Sequence, residues 1–218
     1  MSHGPSLLEQ EIRSDIDERR ELMSRIESLC PRYAFSKDDE KLFLGYSIPI
    51  VYAIWEGFIQ TAFQTYIREL NKLGLTVDTV CKPILVYHIE AKFKQFKQYP
   101  EKFKQKASFF DQLNQLYTSK TVDINPVVNT ESNVGFKVLN RILEEFNLEA
   151  IPDYLEPAYS LSTELKRLLD IRNNVAHGQN SIVVNRTDLE RAIKLVEKLM
   201  ELVFERIISG FMNESYLN

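Results

Sequence analysis

Arg172, Asn173 and His177 place a fixed cation, an amide and a proton carrier within six residues of one another. A histidine titrates near neutral pH, so it can take a proton from a ribose 2′-hydroxyl or give one to a leaving 5′-oxygen. A guanidinium offers several fixed donors to phosphate oxygens and stabilises negative charge as a pentacoordinate state forms. An asparagine can position either group. This is the equipment of phosphodiester cleavage, and it calls for no metal and no cofactor. The same residues at a helix end also serve as surface and capping groups, and spacing alone does not separate the two readings.

Other chemistries find little material. Cys30 and Cys81 with His3, His88 and His177 give no CxxC or HxxxH spacing, so a structural zinc site is not expected. The chain has 218 residues, 44% hydrophobic and 27% charged, the balance of a globular protein. Its net charge of −4 argues against a surface coated in cations, while leaving room for a local basic patch. The start, MSHGPSLLEQEIRSD, has no basic region leading into an apolar stretch, so no signal peptide is expected. The longest apolar run, from Phe43 to Trp55, is shorter than the roughly twenty residues of a membrane span. The expectation is a cytoplasmic protein with no membrane partner.

The elements that must position the triplet read as helices. Leu8, Ile12, Ile16, Met23, Ile26 and Cys30 make one apolar stripe over about 7–30, closed by Pro31. Ser36 caps a second helix over about 37–73 that is apolar nearly all round, from Ile48, Val51 and Tyr52 through Trp55, Ile59 and Phe63 to Ile67. A third runs over about 158–177 on Leu161, Leu165, Leu168 and Val175, with Arg172 on that stripe and Gly178 as the residue that ends it. After a loop, Thr187 and Glu190 have the spacing of a capping box for a last helix over about 187–209. Residues 75–150 read as a mainly helical insertion, with helices at 80–98, 101–117 and 134–147 and a short hairpin near 121–129. The expected fold is all-α: one domain over 1–218, a four-helix bundle carrying a small insertion.

RNNVAH at Arg172–His177 resembles the Arg-x4-6-His motif of the HEPN superfamily, in which the residue after the arginine is Asn, Asp or His. Trp55-Glu-Gly-Phe-Ile59, and Thr130-Glu-Ser-Asn133 leading into Val138–Phe146, resemble the MAE-type branch of stand-alone HEPN proteins. The resemblance spans about 40 to 208 and implies a HEPN-like bundle. It implies a metal-independent endoribonuclease of toxin or phage-defence type, acting on RNA as a homodimer with two motifs across a cleft. Carried over, Arg172 and His177 are the catalytic pair and Asn173 the polar helper; beside them Asn174, like Glu56, is a candidate supporting residue. It also implies a cognate antitoxin or a second HEPN protein as partner, or, in the alternative reading, a non-catalytic module that binds RNA or nucleotide or regulates another HEPN protein. Some HEPN toxins carry a modifiable tyrosine two residues after the histidine; here that residue is Gln179, which sets silencing by that route in doubt.

Three further features bear on the site. Glu56 interrupts an apolar helix, either as a partner that orients Arg172 or His177 or as a solvated edge. Glu131 and Asn133 are either site residues or a cap for the next helix. Lys92, Lys94, Lys97, Lys102, Lys104 and Lys106 face only Glu101 within their window and are candidates for RNA contact. Phe93, Phe96, Tyr99 and Phe103 interleave with them at spacings of three, three and four, either as rings that stack on single-stranded RNA or, the reading the spacing favours, as the buried face of a helix.

Overall fold

The computed structural model of the chain describes residues 6–93, 95, 99–119, 121–131, 133–156, 159–179 and 182–218. Helix α1 (Leu7–Tyr33) starts behind Ser6, whose hydroxyl accepts the Glu9 amide at 3.2 Å. All six stripe residues, Leu8 to Cys30, are buried. The helix does not stop at Pro31: it holds that residue in its last turn and ends at Ala34, which takes a left-handed conformation at φ 45°. The gap in the stripe between Ile16 and Met23 is filled by Arg19. It pairs with Asp15 at 2.8 Å and donates to the Ile54 carbonyl at 2.8 Å. Gly57 makes room for it, since a Cβ there would lie 3.1 Å from the Arg19 Nη1.

Helix α2 (Lys37–Lys72) is capped by Ser36 as its sequence requires, with Asp38, Asp39 and Glu40 at its positive end. It packs against α1, α6 (Leu161–Ala176) and α7 (Arg186–Met212), and these four helices form the bundle. Trp55, Tyr52, Phe58, Phe63 and Tyr66 on α2 are among the largest fully buried side chains. By length and composition α2 could cross a bilayer, and its burial here is that of a central bundle helix. Among the described residues, seven helices and two short strands make the fold all-α.

Helices α3 (Lys82–Lys92), α4 (Phe103–Thr118) and α5 (Phe136–Glu145) lie between α2 and α6 in sequence. The expected hairpin near 121–129 does not form. Val122, Ile124 and Val128 alternate inward as a strand would, but their backbone is satisfied otherwise. Asn71 clamps Ile124 from both sides, at 3.0 Å to its carbonyl and 2.8 Å from its amide. Tyr87 donates to the carbonyls of Asn125 and Val127. A side-chain clamp thus replaces the second strand. The two short strands are β1 (Tyr154–Glu156) and β2 (Tyr159–Ser160), paired antiparallel just ahead of α6. They delay that helix to Leu161, where Ser160 caps it. The capping box of α7 uses Asn185 and Asp188, not Thr187 and Glu190. Asp188 is buried and also pairs with Arg167, a demand that Glu190, exposed on its helix, does not meet.

His88 is buried on α3, and its Nδ1 has no hydrogen-bond partner among the described residues. Burial lowers its pKa below the ordinary value; Lys92 adds to that and Asp123 opposes it. The unfolded chain therefore binds the proton more readily than the folded one, and stability must fall as pH drops below about 6.5. Urea midpoints measured from pH 7.5 to 5.5 should decline, and His88→Phe should flatten that part of the decline. A midpoint with the same slope in both proteins would remove His88 as the cause.

Candidate active site

Helix α6 ends where the triplet lies, and its buried side runs Leu161, Leu165, Leu168, Ile171 and Val175. The apolar stripe passes through Ile171, so Arg172 flanks it and is only half-buried. That position removes the cost of sinking a guanidinium into the core and leaves it at the rim. The Arg172 Cζ lies 5.0 Å from the centroid of the Tyr52 ring on α2, a cation–π contact. Its Nη1 donates to the Asn173 Oδ1 at 2.8 Å and to the Asn133 Oδ1 at 3.3 Å. Among the described residues Arg172 has no carboxylate partner, and its Nε and Nη2 have no hydrogen-bond partner there either.

Asn133 arrives from a loop 39 residues away in sequence. Three side chains of α2 hold that loop. The Tyr52 hydroxyl accepts the Val134 amide at 2.8 Å, and the Trp55 indole donates to the Val134 carbonyl at 3.0 Å. The Glu56 Oε1 accepts the Thr130 hydroxyl at 3.2 Å. Burial pushes the Tyr52 phenol above its ordinary pKa, aided by Glu56 and opposed by the Val134 amide and Arg172, so it stays neutral and its oxygen is available to accept. The two segments that sequence alone presents as separate, Trp55–Ile59 and Thr130–Asn133, are therefore two sides of one contact. Glu56 bonds to neither Arg172 nor His177: it ties down the loop that carries the partner of Arg172.

His177 is the C-cap of α6. Its amide bonds back to the Asn173 and Val175 carbonyls, and Gly178 follows at φ 67°, the left-handed position that favours glycine. The imidazole is exposed at the end of the helix, on the same terminal turn as Asn173. Asn174 turns the other way. Its Oδ1 accepts the Ile182 amide and its Nδ2 donates to Gln179, both at 3.3 Å, so it organises the following loop. Glu131 sits at φ 51° and pairs with Arg141, away from Arg172. Among the described residues no group of three or more His, Cys, Asp or Glu is arranged to hold a metal ion.

The lysine window is divided. Lys92 ends α3, with its ammonium 5.8 Å from the Phe93 ring centroid. Lys102 caps α4, and Lys104 and Lys106 ride on it; Lys94 and Lys97, with Phe96, lie outside the described residues. The single buried aromatic face expected there does not form. Phe93 is buried, but Tyr99 and Phe103 are exposed: helix α3 ends at Lys92 and α4 begins at Phe103, so these rings do not share one α-helical face. From spacing alone Tyr52 reads only as a core residue, and Asn133 is one polar residue among several in a loop. Neither carries a periodic signal that would single it out.

Beside the end of α6, a hollow of about 260 Å³ is lined by Leu42, Gly45 and Tyr46 of α2 with Val175, Ile182 and Val184. Leu42, Tyr46 and Ile50 are exposed at spacings of four along α2, with Ile182 and Val183 exposed in the loop after the motif. An apolar face therefore flanks the Arg172 and His177 turn.

The sequence model described as RiboL-PSP-HEPN matches residues 14–209, a span that takes in α2, the loop bearing Asn133, α6 and most of α7. No curated protein and no solved structure matches the chain.

Proposed function

The chain belongs to the RiboL-PSP-HEPN family, whose membership points to a nuclease or RNA-related role, and from that premise we propose that it is a metal-independent endoribonuclease of toxin or defence type. The observation that carries the reading is the state of Arg172. It is held by two amide oxygens and a ring face and not by a carboxylate, with Nε and Nη2 unused among the described residues. Those two donors have the fork geometry that grips a phosphate through two oxygens.

In this reading Arg172 binds the scissile phosphate and stabilises the charge that grows on its oxygens. Asn173 and Asn133 fix the direction of the guanidinium. One imidazole removes the 2′-hydroxyl proton as the 2′-oxygen attacks phosphorus. A second, protonated imidazole donates its proton to the departing 5′-oxygen. The products are a 2′,3′-cyclic phosphate and a 5′-hydroxyl, and the net proton count is unchanged. One chain brings a single histidine to this site, so the acid and the base come from two copies of His177 about a two-fold axis. The exposed face of Leu42, Tyr46 and Ile50, with Ile182 and Val183, supports such a homodimer because it borders the motif.

The test is cleavage of a labelled RNA pool by purified protein in EDTA, beside His177→Ala, with the mass of both proteins checked by sedimentation. Cleavage that survives chelation and is lost in the variant is the expected result, with dimers in both cases. No cleavage by either protein, both remaining dimeric, would overturn the nuclease reading in favour of a binding or regulatory module. Induced expression adds a second reading of the same idea: wild type should slow its host, and His177→Ala should not.

A further inference from the structure

Among the described residues helix α4 is attached to the rest of the molecule by little. Its buried residues are Phe109 and Leu116, which form a small cluster with Phe93, Ile89 and Leu113, apart from the main core. Its outward side carries three large rings: Phe103 is 82% exposed, Phe110 60% and Tyr117 59%. They are seven residues apart, so on a helix they stand nearly in line, about 10 Å from one ring to the next. Isolated exposed rings are ordinary on a protein surface, but a row of three on one helix is a contact surface awaiting an occupant.

Charge selects the occupant. The helix and its cap carry Lys102, Lys104 and Lys106 against Asp111 alone, on a chain whose net charge is −4. Lys102 and Lys104 are exposed and have no acidic partner among the described residues, while Lys106 lies 5.2 Å from the Tyr99 ring centroid. An open hollow of about 600 Å³ lies beside this end of the helix, bordered by Tyr99, Lys102 and Lys104, with Glu101 the one acid against the two lysines of its lining. A second copy of the helix would add lysines with only one more acid to meet them. A polyanion with flat faces satisfies both features at once.

We propose that the outer face of α4 is a platform for single-stranded RNA, on which Phe103, Phe110 and Tyr117 stack bases while Lys102 and Lys104 hold phosphates. The inference rests on the ribonuclease reading for its choice of RNA, but it concerns an element that contributes no residue to the Arg172 turn. Single-stranded RNA is favoured over duplex because only splayed bases offer their faces to side chains. The platform gives long strands an extra hold that a dinucleotide cannot use.

The test uses a fluorescent oligoribonucleotide with every 2′-hydroxyl methylated, so that binding is measured without cleavage. Phe103→Ala, Phe110→Ala and Tyr117→Ala combined should weaken binding at least about tenfold at fixed salt, with the thermal midpoint unchanged because all three rings are exposed. Lys102→Gln with Lys104→Gln should lower the salt dependence of binding, which the ring variant should leave alone. Cleavage of a dinucleotide by the ring variant should match wild type. Equal binding of single strands by wild type and ring variant would overturn the platform, even with cleavage intact. Loss of binding in the ring variant alongside a wild type that cleaves nothing would uphold the platform and sink the nuclease. A ring variant that changes oligomeric mass, with RNA binding untouched, would make this face a protein interface and overturn the proposal.

Discussion

In the proposed homodimeric ribonuclease, Arg172→Ala is expected to remain folded and dimeric while losing about 10²–10³-fold in RNA cleavage, the range seen when a donor to developing negative charge is removed. Folding should tolerate the change because the side chain is half-buried at the edge of α6 and, among the described residues, leaves no carboxylate stranded when it goes. What remains behind is the Tyr52 ring, with Asn133 and Asn173 at the rim. Arg172→Lys separates charge from geometry. An ammonium restores the positive charge but not the two parallel donors, so it should recover only part of the rate. The measurements are single-turnover cleavage rates beside sedimentation and urea unfolding. An Arg172→Ala protein that is unfolded or monomeric, yet fully active per folded dimer, would make the arginine a structural residue.

Trp55→Ala should cost about 3–5 kcal/mol of stability, the usual loss for a large buried aromatic. Trp55 is fully buried at the centre of α2, stacked near Phe58, and its indole also holds the Val134 carbonyl. Trp55→Phe divides these contributions. It keeps most of the apolar burial but leaves the Val134 carbonyl without its donor, for a cost of about 1–3 kcal/mol. The neighbouring Asn133 would then be less firmly presented to Arg172. Cleavage by Trp55→Phe should therefore fall even at temperatures where the protein is fully folded, while its overall helix content stays the same. Full activity in that variant would show that the loop needs no such anchor, and the role of Asn133 would fall with it.

Helices such as α1 are legible in the sequence because the signal is local. The inward positions of α1 follow from its periodicity, and Ser36 announces the start of α2 through a bond to its own first turn. Where the sequence misleads, a distant group has intervened. A strand-like alternation at Val122 and Ile124 implies a partner strand, but Asn71 supplies the bonds that a hairpin would have made. The three-three-four spacing of Phe93 to Phe103 implies one continuous helical face, yet the helix is interrupted after Lys92 and Phe103 opens a new one.

The candidate site divides in the same way. Arg172, Asn173 and His177 stand out in the sequence because their types and spacing lie within one helical turn and its cap. The order of the segments, with the motif ahead of a last long helix, is equally a property of the chain. The residues that make Arg172 usable are not. Tyr52 and Val134 are 82 positions apart, Trp55 and Val134 79, and Glu56 and Thr130 74. Periodicity reports which side of an element faces inward, because each helix alone has a regular turn. It carries no information on which buried hydroxyl meets which loop amide, because that pairing is settled only when α2, α6 and the loop between them pack together.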